Sequence, residues 1–582
     1  MEPYEIVKCD VLIIGAGGAG LRAAIETSTA GADTVVVCKS LLGKAHTVMA
    51  EGGMAAALGN VAPQDSWQVH FTDTIRGGHF INNWKMAEIH AKEAPDRVLE
   101  LERWGAMFDR TENGLIHQRP FGAHSYPRLA HIGDRTGLEL IRTLQEKVIH
   151  TNTRIFMEYM ATDLLCEDGR VKGVFAYSRH NGDYVLFLTR SVILASGGWG
   201  RIYKVTSNSW ESTGDGQAMA YRAGAELMDC EMVQFHPTGM VWPPAVRGIL
   251  VTEAVRGEGG ILKNALGERF MEKYDPKRME LAPRDVVARA IQSEVDAGRG
   301  SPHGGAYLDI THRGADYIRR RLPSMVEQFE KLAGVDITKE PMEVAPTVHY
   351  AMGGVRVEAE NAATNILGLF AAGEVAAGLH GANRLGGNSL TDLLVFGRRA
   401  GLGALDYLSQ HSPAHAEVSE VEVRQIQQRL NKPFNSEGTE NPFKLQNELQ
   451  EIMSTYCGIW RNQKDLEEGL QKVLSLKERI QNIKVPGDKH FNPGWNAAVD
   501  LEGMVILGEA VIRSALARKE SRGAHTRTDY PNEDPSLNWA NFIVWNENGE
   551  MKIELREFSS PRDDLAQILQ NAPVIAPKQA GG

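Results

Sequence analysis

At 582 residues, with 42% hydrophobic and 24% charged side chains, the chain is too long for one small core and too apolar to be disordered; length alone sets roughly three to four domains. Its 63 Lys+Arg against 74 Asp+Glu leave a net charge of −11, which argues against a nucleic-acid footprint. No uncharged apolar run reaches the ~18 residues that span a bilayer, and neither a basic n-region nor an Arg/Ser-rich leader opens the chain, so the expectation is a soluble, non-secreted protein.

In chain order, Cys9-Asp10-Val11-Leu12-Ile13-Ile14 reads as a buried strand, followed by Gly15-x-Gly17-x-x-Gly20, a helix to Thr29 and a second strand over 33–38. This is the placement a dinucleotide loop requires. The first glycine permits the turn, the second admits the pyrophosphate, and the third lets helix and strand pack closely. The carboxylate expected at the end of the second strand, for an NAD ribose, is replaced by Cys38-Lys39-Ser40, which disfavours NAD. A hairpin is predicted over 161–178, turning at Glu167-Asp168-Gly169. A third strand, 190–195, ends in Ser196-Gly197-Gly198, and another strand far downstream ends in Ala372-Gly373-Glu374. Three small-residue strand ends suit a long cofactor such as FAD, laid across one sheet edge.

Residues 238–348 pattern as helices with short loops, an inserted domain, and the apolar, Gly-rich character returns over 366–394. Residues 409–443 read as linker plus the start of a helix, 445–522 as a small helical bundle, and 539–556 as a hairpin. The five cysteines, Cys9, Cys38, Cys166, Cys230 and Cys457, are scattered without CxxC spacing, so zinc sites, iron–sulfur clusters and a disulfide framework are all disfavoured and no metal site is expected.

Several blocks are specific enough to carry a resemblance. They include Lys44-Ala45-His46-Thr47-Val48-Met49-Ala50-Glu51-Gly52-Gly53, Gln118-Arg119-Pro120-Phe121-Gly122, Thr213-Gly214-Asp215-Gly216 and Gln234-Phe235-His236-Pro237-Thr238-Gly239. Further on stand Val251-Thr252-Glu253, Arg256-Gly257-Glu258-Gly259-Gly260, Pro283-Arg284-Asp285, His349-Tyr350-Ala351-Met352-Gly353-Gly354, His380-Gly381-Ala382-Asn383-Arg384-Leu385-Gly386-Gly387-Asn388-Ser389-Leu390 and Glu520-Ser521-Arg522-Gly523-Ala524-His525. Over nearly its whole length the chain resembles the flavoprotein subunit of succinate dehydrogenase and fumarate reductase. The resemblance implies an α/β fold: a Rossmann-type FAD-binding domain (1–237 and 351–420), an inserted α+β capping domain (238–350), a C-terminal helical bundle (421–530) and a small tail domain (531–582).

By that resemblance FAD is held covalently through His46. The other residues it implies for FAD are Gly15, Ala16, Gly17, Gly18, Ala19, Gly20, Cys38, Lys39, Ser40, Thr47, Glu51, Gly52, Gly53, Ala161, Asp215, Glu374, Ser389 and Leu390. Asp215 and Glu374 would accept from ribityl or ribose hydroxyls. His236, Thr252, His349 and Arg384, with Phe121, are implied to hold a four-carbon dicarboxylate. Arg284 is implied to take the substrate proton, passing it to Glu253 and Arg256, which stand at i and i+3; from residue type alone His236 or His349 would be the expected base. At Glu51, succinate-oxidising relatives commonly have Gln and fumarate-reducing relatives Glu, so an ionised Glu51 is expected to lower the flavin potential. Residues 39–44 depart from the usual Lys-x-x-Pro-x-Arg-Ser-His form, which leaves the path of the loop before His46 open. A chain without clusters needs an iron–sulfur subunit to receive electrons, and a quinone-binding membrane anchor subunit beyond it. That places the protein at the cytoplasmic face of a prokaryotic membrane. The rival readings are an L-aspartate oxidase, which has no histidyl flavin, a soluble fumarate reductase flavoprotein, and a non-catalytic module on a dinucleotide fold.

Overall fold

The computed structural model describes residues 2–412 and 414–572; the last ten residues of the predicted tail lie outside that set. The core is a seven-stranded sheet. The first strand, Tyr4–Ile14, runs parallel between Thr34–Cys38 and Tyr184–Leu194, and the short strand Leu369–Ala371 also pairs with Tyr184–Leu194 in parallel. Its central parallel strands are rich in Val, Ile and Leu and, toward their carboxyl ends, buried on both faces, as helix-covered parallel strands must be. Register aligns the three glycine-ended strands at one edge: Ile14 lies opposite Leu194, and Leu194 opposite Ala371. The predicted hairpin is present as Tyr159–Glu167 and Arg170–Ser178, with Asp168 and Gly169 both at positive φ in the turn.

Residues 238–348, whose local pattern reads as helices with short loops, form the α+β unit that the resemblance implies. They contribute most of a four-stranded sheet, Val233–Met240, Met342–Ala351, Ala306–Asp309 and Ile261–Lys263, against which the helix Arg284–Glu294 packs around a second hydrophobic core. Ile261–Lys263 and Ala306–Asp309 are too short to give a strand pattern of their own, and they lie among helical turns. The supposed linker likewise contains a four-turn helix, Glu420–Asn435, whose buried side is only Val423, Ile426, Gln427 and Leu430. Helices Pro442–Tyr456, Gln463–Arg479 and Pro493–Ala517 form the bundle. The final hairpin, Ala540–Glu547 with Glu550–Glu557, joins the short strand Leu227–Met228. Among the described residues no helix is long and apolar enough to cross a membrane.

Candidate functional site

A cleft of about 1360 Å³, its open mouth included, runs along the edge where the three strands end. Gly15, Ala16, Gly17, Gly18, Ala19, Cys38, Lys39, Ser40, His46, Thr47, Ala161, Asp215, Glu374, Ser389 and Leu390 line it, as do His349 and Arg384. The glycine roles can be read from what a side chain would meet. A Cβ on Gly15, where φ is +114°, would stand 2.2 Å from the Ala195 carbonyl oxygen, and one on Gly20 would stand 1.9 Å from that of Gly15. At Gly17 it would touch only Thr47 Oγ1 at 3.4 Å and Ala45 Cβ at 3.5 Å, at the cleft wall. Gly17 caps the helix Gly18–Thr29 without a side-chain bond, which leaves backbone N–H groups and the positive helix end to a phosphate. Ser196 Oγ, on the cleft wall, is buried without a hydrogen-bond partner. Together these features fit a dinucleotide with a long polar body.

Lys39 is deeply set among Thr213 Oγ1 (2.8 Å), Asp215 Oδ2 (3.1 Å) and Asp500 Oδ1 (2.7 Å). Burial would strip its proton, but the Asp215 and Asp500 carboxylates more than reverse that and raise its pKa. Asp500 comes from the helical bundle and has no signal in the sequence. Asp215 accepts from Thr213 and Lys39 through different oxygens, so it keeps lone pairs for a sugar hydroxyl. Burial raises the Glu374 carboxyl to about 7, while its Oε1 accepts from the Ala351 N–H at 3.0 Å.

His46 opens a short turn, His46–Met49, and its Nδ1 accepts from the Ser209 N–H at 3.3 Å. Burial, with a smaller contribution from Arg384, lowers its pKa to about 4. Gly20, Glu51, Gly52 and Gly53 stand behind the lining. Gly52 gives room to the Phe121 ring, whose Cζ would be 2.4 Å from an added Cβ. Burial first, and Asp134 second, push the Glu51 carboxyl well above the ordinary range, and Oε2 has no partner. The same burial works against the ionised form on which the expected lowering of the flavin potential depends.

Beyond His349 and Arg384 the cleft adjoins a second, cationic cluster. Arg384 stacks on Tyr350 at 4.2 Å and donates to Ser389 Oγ at 2.9 Å, leaving Nε buried without a partner. Burial, then Arg284, lowers its pKa to about 9. His349 and His236 lie with ring centroids 5.1 Å apart. Burial lowers both pKa values far below the ordinary imidazole range, so both are neutral hydrogen-bonding groups. Nδ1 of His349 is paired with Ser207 Oγ at 2.8 Å. Thr252, buried, precedes Glu253 at the start of the helical turn Ala254–Gly257.

Glu253 joins the arginines. Its Oε2 accepts from Arg284 Nε at 2.7 Å and lies 3.4 Å from Arg256, and its Oε1 accepts from the Gly122 N–H at 2.7 Å. Burial pushes its pKa up, but Arg256 and Arg284 overcome that and hold it at about 2. Phe121 and Arg284 Nη2 both press on Gly386, where a Cβ would come within 2.5 and 2.9 Å. The predicted substrate and proton-handling residues thus meet beside the cleft. No sequence signal pointed to Gln234, Asn383 or Asp500 as functional groups.

Residues 10–390 match the FAD binding domain family, and residues 446–568 the C-terminal family of fumarate reductase flavoproteins. The chain is 50% identical over 547 residues to a fumarate reductase (CoM/CoB) chain of Methanothermobacter marburgensis, covering 94% of this chain and 98% of that one. It is 41% identical over 559 residues to the succinate dehydrogenase flavoprotein subunit of Rickettsia bellii, 92% of each. Among solved structures it resembles Mycobacterium smegmatis Sdh1 in complex with UQ1, with TM-score 0.87 and 53% identity over 96% of both chains. An E. coli quinol fumarate reductase superposes with TM-score 0.91 at 35% identity, over 95% of this chain and 97% of that one.

Proposed function

Because the chain belongs to the flavoprotein-subunit family of succinate dehydrogenases and fumarate reductases, we propose that it oxidises succinate to fumarate, with the reverse reaction open to the same site. In this reading it is the flavoprotein subunit of a succinate:quinone oxidoreductase, held at the cytoplasmic face of the membrane by a quinone-binding anchor and its iron–sulfur subunit. The observation that carries it is the meeting of Arg384, His349 and His236 with the Arg284–Glu253–Arg256 chain at one end of the FAD cleft.

FAD bound in the cleft supplies the two-electron acceptor for the substrate's hydride. Arg384 grips one carboxylate through its planar fork, with charge-assisted bonds stronger than neutral ones. Neutral His236 and His349 and the Thr252 hydroxyl complete the hold without adding charge that burial would penalise. Holding the diacid in one orientation lowers the barrier by up to ~7–11 kcal/mol. Arg284 receives the substrate proton as it releases one of its own to Glu253, whose Oε2 is 2.7 Å from Nε, and Arg256 is the next group along. A free arginine is a poor base, so the handover is concerted within the dry chain.

Covalent attachment through His46 completes the proposal. Were the link made through the other ring nitrogen, Nδ1 of His46 would keep its lone pair, with the Ser209 N–H already placed to donate to it. Such a link would draw density from the ring and raise its potential, favouring succinate as reductant. Flavin fluorescence on a denaturing gel, with succinate- and fumarate-dependent rates on the purified complex, tests the whole reading. A fluorescent band and both rates are expected; a dark band or absent succinate oxidation overturns the corresponding part. The 50% identity to a CoM/CoB fumarate reductase chain favours a second reading, in which fumarate is reduced by electrons from thiols. Thiol-driven fumarate reduction without quinol activity would establish it.

A further inference from the structure

Gln234 lies in the run that carries His236, yet none of the roles above uses it. It is fully buried in the strand Val233–Met240. Its Oε1 accepts from Arg284 Nη1 at 3.0 Å, while Nε2 donates to Asn383 Oδ1 at 2.8 Å and to the Arg384 carbonyl oxygen at 2.7 Å. Asn383 in turn donates from Nδ2 to Asp285 Oδ1 at 2.8 Å. Asp285 follows Arg284 on the same helix, so the bonds close a ring through three segments distant in sequence. The ring fixes its own orientation. Flipping either amide would turn donor onto donor and acceptor onto acceptor, in a place where water cannot compensate.

We propose that Gln234 is a positioning residue that sets Arg284, the proton carrier, against Arg384, the carboxylate clamp, with Asn383 and Asp285 as its rigid support. The inference rests on the roles given to those two arginines above. Arg284 is held on two edges of its guanidinium, Nε by Glu253 and Nη1 by Gln234, which leaves Nη2 packed at Gly386 between the clamp and Phe121. Arg384 is held through its own backbone carbonyl. An amide serves this double duty because it presents an acceptor to one arginine and donors to the other segment. A carboxylate would oppose two carbonyl oxygens and place a negative charge where a dianion must bind.

Three variants, with rates normalised to bound flavin, test this. Gln234→Met, similar in volume but without the three bonds, is expected to lower kcat by about 10–100-fold with KM within a few-fold, because Arg284 loses its register while the clamp's own side chain is untouched. Gln234→Glu, which keeps the shape, is expected to raise KM for succinate and weaken competition by malonate at least ~10-fold through like-charge repulsion. In the double variant with Arg284→Lys, Gln234→Met should slow the enzyme no further than Arg284→Lys does alone, since both losses pass through one group. A Gln234→Met enzyme within about twofold of the parent, or effects that multiply in the double variant, would overturn the proposal. If Arg284→Lys alone keeps the full rate, it is the proton-carrier reading that falls, and the Gln234→Glu effect on KM still tests the amide's place beside the clamp.

Discussion

Replacing Glu253 by Gln removes one negative charge from the middle of two buried arginines and changes almost nothing in shape. Both carboxylate oxygens accept hydrogen bonds, one from the Gly122 N–H and one from Arg284 Nε, each at 2.7 Å. An amide can satisfy only one of these donors and turns its own N–H toward the other. Arg256 and Arg284 are fully and almost fully buried, and breaking such a buried pair costs about 3–5 kcal/mol. The local charge rises from +1 to +2, counting the two arginines and Glu253 as ionised. A dianion is therefore bound as well as before or better. Proton handover, by contrast, loses its acceptor, and general acid–base steps are worth about 10²–10⁴-fold. The expected Glu253→Gln enzyme keeps its flavin, binds malonate undiminished in a flavin-absorbance titration, and oxidises succinate with kcat reduced by that factor while KM does not rise. A raised KM with kcat within about threefold of the parent would refute the relay and make Glu253 a binding residue.

Other outcomes follow from the same geometry. His46→Ala should keep FAD in the cleft but lose in-gel fluorescence, and should slow succinate oxidation more than fumarate reduction, as measured by the ratio of the two rates. Gly15→Ala places a Cβ 2.2 Å from the Ala195 carbonyl oxygen at a φ of +114°; flavin content after desalting should collapse and the melting temperature should fall. Since burial and then Asp134 favour the protonated form of Glu51, Glu51→Gln should shift the flavin potential by less than ~30 mV in a redox titration, and a larger rise would point to an ionised carboxylate. Burial, the leading cause in each case, lowers the pKa of His90, His124 and His131 to about 3. The unfolded chain therefore binds protons below about pH 6.5 that the native state refuses, so stability is full above that value and is lost as pH falls, by up to about 1.4 kcal/mol per pH unit for each group. Asp65, raised by burial to about 6, and Glu374 and Asp229, each raised to about 7, act in the opposite sense. Burial also lowers His46 to about 4 and His70, His236, His349 and His525 well below the ordinary range. The lowered histidines thus outnumber these carboxyls, and urea midpoints should be lower near pH 5.5 than near pH 7.5.

The nucleotide edge was legible because backbone needs dictate it: a sharp turn at Gly15, close packing at Gly20 and small residues after two other strands can be recognised one segment at a time. The dicarboxylate residues were placed by matching whole blocks to a family, since no spacing rule says that His236, His349 and Arg384 meet. What stayed hidden depends on tertiary placement. Asp500 is one of three acids, with Glu502 and Glu509, on a long and largely apolar helix, and only the packing of that helix brings it to Lys39. Gln234 and Asn383 look like ordinary polar residues in motifs, and become informative only when their partners across the fold are known. The raised pKa of Glu51 is hidden for the same reason: its identity is in the sequence, but its burial is not. The bounds of the helix Glu420–Asn435 within the expected linker-to-bundle stretch are blurred because its apolar stripe is thin and its ends are polar.

The contact between Lys39 and Asp500 joins the nucleotide pocket to the far end of the polypeptide. A ligand that binds only the finished pocket stabilises everything the pocket requires, by an amount that grows with ligand concentration. Because Asp500 belongs to the helix Pro493–Ala517, riboflavin scarcity would loosen the carboxy-terminal bundle as well as the pocket itself. Chains synthesised under such starvation should then be nicked first in that bundle, and degradation of its helices would serve as a gauge of how many molecules had been charged with their prosthetic group.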